Sequence, residues 1–347
     1  MTAHSITTAS ENSAGAEHHG TVTMRAAVQR RYAGPETIRI ETVPTPQPGA
    51  GEVLIAVRAA GVDRGVWHVA TGRPLVMRLM GFGLRRPSQP IQGSDVAGVV
   101  VAVGNGVTRF AVGDEVFGSA AGSFAEYAVA RQDRLTTKPA GMDFSRAGAL
   151  PVSAVTALQA VEESAKVEAG QRVLVLGASG GVGSYAVQIA VAAGAYVTGV
   201  ASAAKADLVR ELGAERVLDY RTTDVTSLDE HYDVIIDAGS LTSLRRLRRI
   251  LSSDGTLVIV GGEGGDSLVG GAGRTLWAPL VSLFTSQRLM GFLSEMTAER
   301  LERVRAMVES GEVRAPVSRT YPLDSAAEAV KDLAAGKVSG KAVVTVG

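Results

Sequence analysis

Cysteine is absent from this chain of 347 residues, which excludes disulfides and metal sites built from thiolates. Net charge is absent as well, because 35 basic side chains balance 35 acidic ones. No overall field attracts nucleic acid or an anionic membrane, so we expect neither as a partner. The sequence also lacks a long apolar run and a basic, apolar leader, which argues against a transmembrane helix and a signal peptide. We therefore expect a cytoplasmic protein.

The patterning that is present divides the chain into segments of different character, and its length suggests about two domains. Residues 1–23 are rich in small polar residues and are predicted to be a disordered tail. Residues 24–150 contain short strand-like runs between glycines and prolines, which is typical of an all-β barrel. Residues 151–295 alternate strands with helices, which predicts a doubly wound parallel sheet. Its six strands are predicted at 172–177, 195–201, 215–219, 233–238, 254–261 and 288–294.

A glycine-rich stretch near the middle of the chain is its most informative motif. Residues 173–176 are an apolar run typical of a buried parallel strand, residues 177–183 read G-A-S-G-G-V-G, and an amphipathic helical pattern follows. Strand, glycine turn and helix are the context in which a dinucleotide pyrophosphate binds at a helix N-terminus. The predicted pyrophosphate contacts are Ser179, Gly180, Gly181 and Val182.

This form of the turn resembles the quinone oxidoreductase-like branch of the medium-chain dehydrogenase/reductase superfamily. The position of the turn in the middle of the chain agrees with that resemblance. The Tyr-x-x-x-Lys pair of short-chain reductases is missing from the sequence. The resemblance implies an α/β fold with two domains. A GroES-like β-barrel catalytic domain would comprise residues 24–150 and 296–347, and a Rossmann doubly wound parallel sheet would comprise residues 151–295. It also implies an active site between the domains and a homodimer.

The turn after the second predicted strand bears on the choice of cofactor. An enzyme that uses NAD usually carries an acid there, whereas this chain has Ser202 and Lys205. A hydroxyl and an ammonium group without a carboxylate favour a 2′-phosphate, so NADP(H) is the predicted cofactor. The alternative is that Ser202 only caps a helix and Lys205 is only solvated.

Further cofactor contacts follow from the resemblance. Tyr220, in the motif at 213–221, matches a tyrosine beside the adenosine phosphate, and Thr156 matches a position near the nicotinamide. Gly261 ends the fifth predicted strand and completes the predicted contacts. Arg64 is expected either to meet the pyrophosphate or to pair with Asp63.

The positions of the zinc ligands in related enzymes are occupied by other residues. Asp63 stands where zinc-dependent members have a cysteine, Ser94 stands where they have a histidine, and Gly65 replaces the hydroxyl of the proton relay. Serine is a poor zinc ligand and Asp63 alone makes no site. We therefore predict no metal site and a zinc-independent reaction.

The predicted catalytic residues are His68 and Asp63. His68 is the single histidine of the predicted catalytic domain, and its reference pKa suits proton transfer near neutrality. The alternative is that His68 only packs beside Trp67. The segment from Gly262 to Thr285 is interpreted as a long loop, either a dimer contact or a lid over the substrate.

Together these features predict an NADPH-dependent, zinc-independent oxidoreductase that transfers hydride to a quinone or an activated enone. A small molecule is the expected substrate. An alkenal or enoyl double-bond reductase, or an alcohol dehydrogenase-like reductase of the same fold, is the enzyme alternative. A catalytically inactive NADP(H)-binding regulatory protein is the alternative from another class.

Overall fold

The computed structural model describes residues 22–260 and 272–347. Residues 1–21 of the predicted tail and the predicted cofactor contact Gly261 lie outside the described residues. Strands β1 to β7 cover Thr23–Val28, Arg39–Pro44, Glu52–Val62, Asp95–Val103, Glu115–Ser119, Tyr127–Arg131 and Leu135–Thr137. Strands β8 to β15 cover Arg172–Leu176, Tyr196–Ala201, Arg216–Asp219, Tyr232–Asp237, Leu251–Ile259, Arg288–Gly291, Val317–Pro322 and Lys341–Thr345. Helices α1 to α9 cover Arg64–Thr71, Phe144–Gly148, Pro151–Leu158, Gly181–Ala192, Ala206–Glu211, Leu244–Arg249, Ala272–Ser282, Ala298–Glu309 and Ala326–Ala334.

The parallel sheet contains the six strands that the sequence predicts. Their order is β10-β9-β8-β11-β12-β13 and every neighbouring pair is parallel, so the order reverses between β8 and β11. Ligands of such sheets bind at the carboxyl ends of the strands beside this reversal, which is where the glycine turn lies. Strand β12 begins earlier than predicted, at Leu251, because that residue pairs with Tyr232 directly after helix α6.

The strands of the second sheet come from two parts of the chain, one before the parallel sheet in sequence and one after it. Its order is β14-β15-β3-β4-β5-β7, with β6 also paired to β3. Strand β15 runs antiparallel to β3, so the C-terminal part of the chain closes the barrel begun by the N-terminal part. This arrangement confirms the predicted fold of a GroES-like barrel with an inserted Rossmann sheet.

The interpretation of the segment from Gly262 to Thr285 as a loop was wrong for its second half. Residues 272–282 form helix α7 although Pro279 lies inside it. Ala278 is fully buried among the apolar residues beneath strand β12, so packing outweighs the helix-breaking tendency of proline. Residues 262–271 lie outside the described residues.

Apolar burial is extensive in both sheets. One cluster joins helices α3, α4 and α8 to one face of the parallel sheet, and a second fills the barrel. Across the described ranges, no helix combines the length and the apolar character needed to cross a bilayer.

Candidate active site

Asp63 and Ser94 meet because of the strand pairing in the barrel. Strand β3 ends at Val62 and its antiparallel neighbour β4 begins at Asp95, so the residues just beyond these ends are close together. Ser94 Oγ donates a hydrogen bond of 3.4 Å to Asp63 Oδ2. Asp63 Oδ1 also accepts the backbone N–H of Val66 at 3.2 Å and caps helix α1. The two side chains that replace zinc ligands in the sequence therefore bind each other.

A buried ion pair lies directly behind this contact. Lys341 Nζ donates to Asp95 Oδ2 at 3.2 Å, and both side chains are at most 1% exposed. The ammonium group also donates to Ser153 Oγ at 3.0 Å, and the N–H of Val152 donates to Asp95 Oδ1 at 2.8 Å. Since Val152 and Ser153 open helix α3, the pair joins two barrel strands to the first helix of the cofactor domain. Both charges are thereby compensated by bonds from several elements.

Burial is the main influence on the titration of this cluster. The pKa of Asp95 is raised to about 6, mainly by burial; the Lys341 ammonium opposes this rise and the nearby Asp63 carboxylate contributes to it. Tyr185 donates a hydrogen bond of 2.9 Å to the carbonyl of Ala149, and burial raises its pKa well above the usual value. Tyr185 therefore stays neutral and serves as a fixed hydrogen-bond donor.

The glycine turn has the geometry that the sequence predicts for a phosphate site. Gly177 has a φ of 75°, in the left-handed region, and Gly180 precedes helix α4 without any side-chain cap. A Cβ atom added to Gly183 would lie 2.1 Å from the carbonyl oxygen of Gly177, so helix and strand approach more closely than any side chain permits. Because Gly180 has no side chain, the first N–H groups of α4 are not capped by it.

Residues 336–341, which we call the C-terminal strap, tie the cofactor domain to the barrel. Gly340 donates its N–H to the carbonyl of Ser179 at 2.8 Å, next to the glycine turn. Lys205 Nζ donates to the carbonyls of Gly336 at 2.8 Å and Val338 at 2.5 Å. Lys205 therefore has a structural partner that the sequence did not indicate, and it is more than a solvated lysine.

The carboxyl ends of β9 and β10 assemble a cationic corner around Lys205. Asp219 pairs with Ala201 in register, which brings Ser202 and Tyr220 to the same edge of the sheet. Burial, and to a smaller extent the Arg221 guanidinium, lowers the pKa of Lys205. The Arg221 guanidinium lies 5.8 Å from the ring centre of Tyr220. Lys205 and Arg221 therefore bring two positive charges to this corner, beside the Asp219 carboxylate that accepts the backbone N–H of Arg221 at 2.9 Å.

Three other predicted residues have local contacts. Thr156 is buried, and its hydroxyl donates to the carbonyl of Val152 at 2.6 Å within helix α3. The Arg64 guanidinium lies 5.5 Å from the ring centre of Trp67. Ring atom Nδ1 of His68 lies 2.9 Å from the carbonyl oxygen of Arg73, and its ring meets Trp67 edge-on at 5.0 Å. The functional roles of these residues stay predictions.

A cavity of about 270 Å³, which we call the barrel cavity, opens beside the Asp63–Ser94 contact. Its polar lining includes Asp63, Gln92 and Ser94. Most of its wall is apolar and consists of the side chains of Val66, Val69, Met77, Phe82 and Ile91. Within the described lining His68 does not appear, although it lies on the same helix as Val66. The cavity therefore suits a small, mostly apolar molecule with a polar group at one end.

Sequence reasoning missed Lys341, Ser153 and Gln92. Asp95 follows the replaced zinc position and could have been recognised as a buried acid that requires a partner. Nothing near Lys341 in sequence identifies it as that partner. In the parts of the chain that the structure describes, no three His, Cys, Asp or Glu side chains come together as a metal site.

Comparisons with known proteins place the chain in one family. An alcohol dehydrogenase GroES-like domain model matches residues 49–140, and a zinc-binding dehydrogenase model matches residues 212–344. Quinone oxidoreductase from Mus musculus is 32% identical over 336 residues, which are 92% of this chain and 96% of that protein.

Solved structures agree with that relationship. The quinone oxidoreductase from Coxiella burnetii superimposes with a TM-score of 0.83 at 28% identity, covering 94% of this chain and 100% of that one. A mycobacterial protein solved in complex with NADPH superimposes with a TM-score of 0.78 at 28% identity, covering 93% and 99%. The predicted family is confirmed by these matches over nearly the whole chain. The protein is an oxidoreductase that belongs to the quinone oxidoreductase-like branch of the medium-chain dehydrogenase/reductase superfamily.

Proposed function

We propose that this oxidoreductase uses NADPH, works without zinc and reduces a quinone or a conjugated enone. The observation that carries the proposal is the combination of a dinucleotide turn with the barrel cavity, whose polar end holds Asp63 and Ser94 in place of zinc ligands. A hydride acceptor of this kind needs orientation and a hydrogen-bond donor, and it has no requirement for a Lewis acid. The expected location of the enzyme is the cytoplasm.

The residues around the turn fit a phosphate-bearing dinucleotide. Helix α4 begins without a side-chain cap, and a Cβ atom at Gly183 would strike backbone. Lys205 and Arg221 supply positive charge, with Ser202 and Tyr220 beside them. An NADPH complex of a structural relative supports the same choice of cofactor. We propose that the glycine turn holds the pyrophosphate and that the cationic corner holds the 2′-phosphate.

The chemistry divides between cofactor and protein. When bound, the reduced nicotinamide supplies the hydride. The protein binds the acceptor against the apolar wall of the barrel cavity, excludes water from it and supports the developing negative charge. Asp63 places a carboxylate at the polar end, which disfavours acceptors that themselves carry a carboxylate.

Turnover assays test the proposal. NADPH oxidation would be followed with quinones, cyclic enones, alkenals and aldehydes, before and after treatment with a strong chelator. Rapid, chelator-resistant turnover with the first two classes is expected. Preference for alkenals would identify the alkenal or enoyl reductase. Loss of activity to the chelator together with about one zinc per chain would refute zinc independence, and no turnover with any acceptor would favour the regulatory alternative.

Replacing Arg221 with glutamine should weaken NADPH binding selectively. Loss of one charge-assisted phosphate contact costs about 1.5–3 kcal/mol, or roughly ten- to a hundredfold in Kd, while NADH binding should not change. Calorimetric titration with both cofactors measures this. The control is Arg210→Gln, which removes an exposed arginine of helix α5 that pairs with Asp207 at 2.7 Å. Equal losses of affinity for NADPH and NADH, or no loss for either, would contradict the assignment of the cationic corner to the 2′-phosphate.

A second copy of the chain is the proposed partner of the sheet edge at β13. This strand is last in the sheet order, and exposed apolar side chains lie beside it on and after helix α7. They include Trp277 at 63% exposure, Leu283 at 76% and Phe284 at 90%. An open edge strand flanked by such side chains is typical of a covered interface.

We expect a homodimer by light scattering, and Phe284→Asp should convert it to monomers because a carboxylate would be buried at the interface. Val112→Asp is the control, because Val112 is 64% exposed and lies in the loop before strand β5 of the barrel. A wild-type monomer, or a dimer unaffected by Phe284→Asp, would count against this interface.

A further inference from the structure

Residues 64–94 carry a local excess of positive charge that the balanced net charge of the whole chain conceals. Five arginines and no acidic residue occur in this stretch. Within the part of the chain that the structure describes, Arg73, Arg85 and Arg86 are exposed and have no ion-pair partner. These three guanidinium groups are therefore available to a negatively charged surface.

Three apolar side chains are exposed on the same stretch. Leu79 is 77% exposed, Phe82 is 41% exposed and Leu84 is 64% exposed. We call residues 73–86, which carry these side chains and the three exposed arginines, the basic rim. Phe82 also lines the barrel cavity, so the basic rim borders the opening of that cavity. Exposed apolar side chains surrounded by polar ones mark contacts with proteins or membranes.

Tyr32 fixes the backbone of the basic rim. Its hydroxyl lies 2.6 Å from the carbonyl oxygen of Phe82 and 2.7 Å from that of Gly83, and it donates between them. The Arg78 guanidinium lies 4.3 Å from the centre of the Tyr32 ring, and its Nε donates to the carbonyl of Gly72 at 2.9 Å. The exposed side chains are therefore presented by an anchored segment.

We propose that the basic rim binds an anionic lipid surface, with Leu79, Phe82 and Leu84 among the headgroups and the arginines against lipid phosphates. Each basic side chain adds to the attraction of such a surface, and leucine and phenylalanine are typical of apolar faces that enter the headgroup region. This inference goes beyond the proposed reductase function. An apolar acceptor dissolved in the bilayer would then meet the barrel cavity at its opening.

The charge of the basic rim argues against a second copy of the chain as its occupant. A symmetric contact would place the arginines of one copy against those of the other, and residues 64–94 contain no acid to compensate them. The sequence-based expectation of no membrane partner rested on the net charge of the whole chain. A charged surface acts within about one Debye length, roughly 10 Å or less, so the local excess decides.

Vesicle sedimentation tests the role of the charges. The full chain should sediment with vesicles of phosphatidylglycerol and phosphatidylcholine at low salt, and much less with phosphatidylcholine alone. The double variant Arg85→Gln, Arg86→Gln should lower the partition coefficient about 20- to 30-fold, because each arginine contributes roughly fivefold. The matched control is Arg245→Gln, Arg249→Gln, which removes the same charge from exposed arginines of helix α6. This control should bind as the wild type does.

A second double variant tests the role of the apolar side chains. Leu79→Ser, Leu84→Ser should lower the partition coefficient about tenfold, because less apolar surface enters the headgroup region. Val112→Ser is the control, since Val112 is 64% exposed on the barrel but lies outside the basic rim. All of these variants change exposed side chains, so their Tm values should match that of the wild type.

The outcomes are separate from those of the turnover assays, because sedimentation requires neither NADPH nor an acceptor. A wild type that sediments with neither vesicle overturns this inference and leaves the proposed function untouched. Binding to poly-L-glutamate without binding to vesicles overturns it in favour of an acidic protein partner. Equal losses in the two arginine pairs, or full binding by Leu79→Ser, Leu84→Ser, would also overturn it, because adsorption would then require no contact specific to the basic rim.

Discussion

Lys341→Met is expected to lower the free energy of unfolding by about 3–5 kcal/mol at pH 7, since removing one partner of a buried ion pair leaves the other charge uncompensated. Asp95 is fully buried and receives hydrogen bonds from Lys341 and from the Val152 N–H. With methionine at position 341 the ammonium is lost, and the carboxylate must either remain charged in an apolar interior or take up a proton. Urea denaturation, extrapolated linearly to water, measures the loss.

Two further measurements identify the cause of that loss. The double variant Asp95→Asn, Lys341→Met should recover most of the stability, because no buried charge remains. Lys331→Met, at an exposed lysine of helix α9, should have little effect. A loss in Lys341→Met no larger than in this control would contradict the account.

The sign of the pH dependence follows from the pKa of Asp95. That pKa is raised to about 6 in the folded protein, so protonation at low pH stabilises the fold and this contribution disappears as pH rises through about 6. The Lys341→Met substitution removes the ammonium group that opposes the rise in the pKa of Asp95. The destabilisation in Lys341→Met should therefore be smaller at pH 5 than at pH 7, by about 1.4 kcal/mol, the free energy of one pKa unit.

Gly183→Ala should raise the Kd of NADPH about 100-fold. The added methyl group would lie 2.1 Å from the carbonyl oxygen of Gly177 and 2.7 Å from its carbon, so the obstacle is backbone. Strand end and helix must separate, which moves the N–H groups of the turn away from the pyrophosphate. Losing two charge-assisted hydrogen bonds costs about 3 kcal/mol or more, which corresponds to that factor.

Gly181→Ala is the matched comparison on the same helix. A Cβ atom there would lie 3.0 Å from Ser153 Oγ and 3.5 Å from Lys341 Cδ, and both obstacles are side chains. We expect a smaller rise in Kd, because a side chain can move where a carbonyl of a tight turn cannot. Equal affinities of both variants and the wild type for NADPH, measured by calorimetry, would contradict the role given to the close approach at Gly183.

Local patterns in the sequence predict the cofactor sheet and its turn, because strand, glycines and helix are consecutive. The buried pair could not be predicted in this way, since Asp95 and Lys341 are 246 positions apart and only the folded barrel brings them together. The contacts of Lys205 could not be predicted from local sequence either. Its motif indicates a phosphate ligand, yet its bonds to the carbonyls of Gly336 and Val338 depend on where the strap crosses the cofactor domain.

The barrel cavity shows why site residues are harder to predict than folds. Asp63 was identified from its place in a motif, and it does line the cavity. Gln92 stands in a short polar segment with no periodicity, and its burial at the wall of the cavity depends on the fold of the barrel. Helix α7 was missed for a related reason, because glycines and Pro279 favour a loop while burial of Ala278 favours a helix.

The pairing of β15 with β3 leads us to expect an order of folding for the two sheets. Val62 faces Ala342 in this ladder, and the whole parallel sheet lies between them in sequence. Closing so long a loop in an unfolded chain is entropically unfavourable, and contacts of large sequence separation form slowly. A collapsed cofactor domain shortens the loop that remains to be closed. We therefore expect the parallel sheet to fold first, so that the barrel completes its own sheet against a cofactor domain that is already structured.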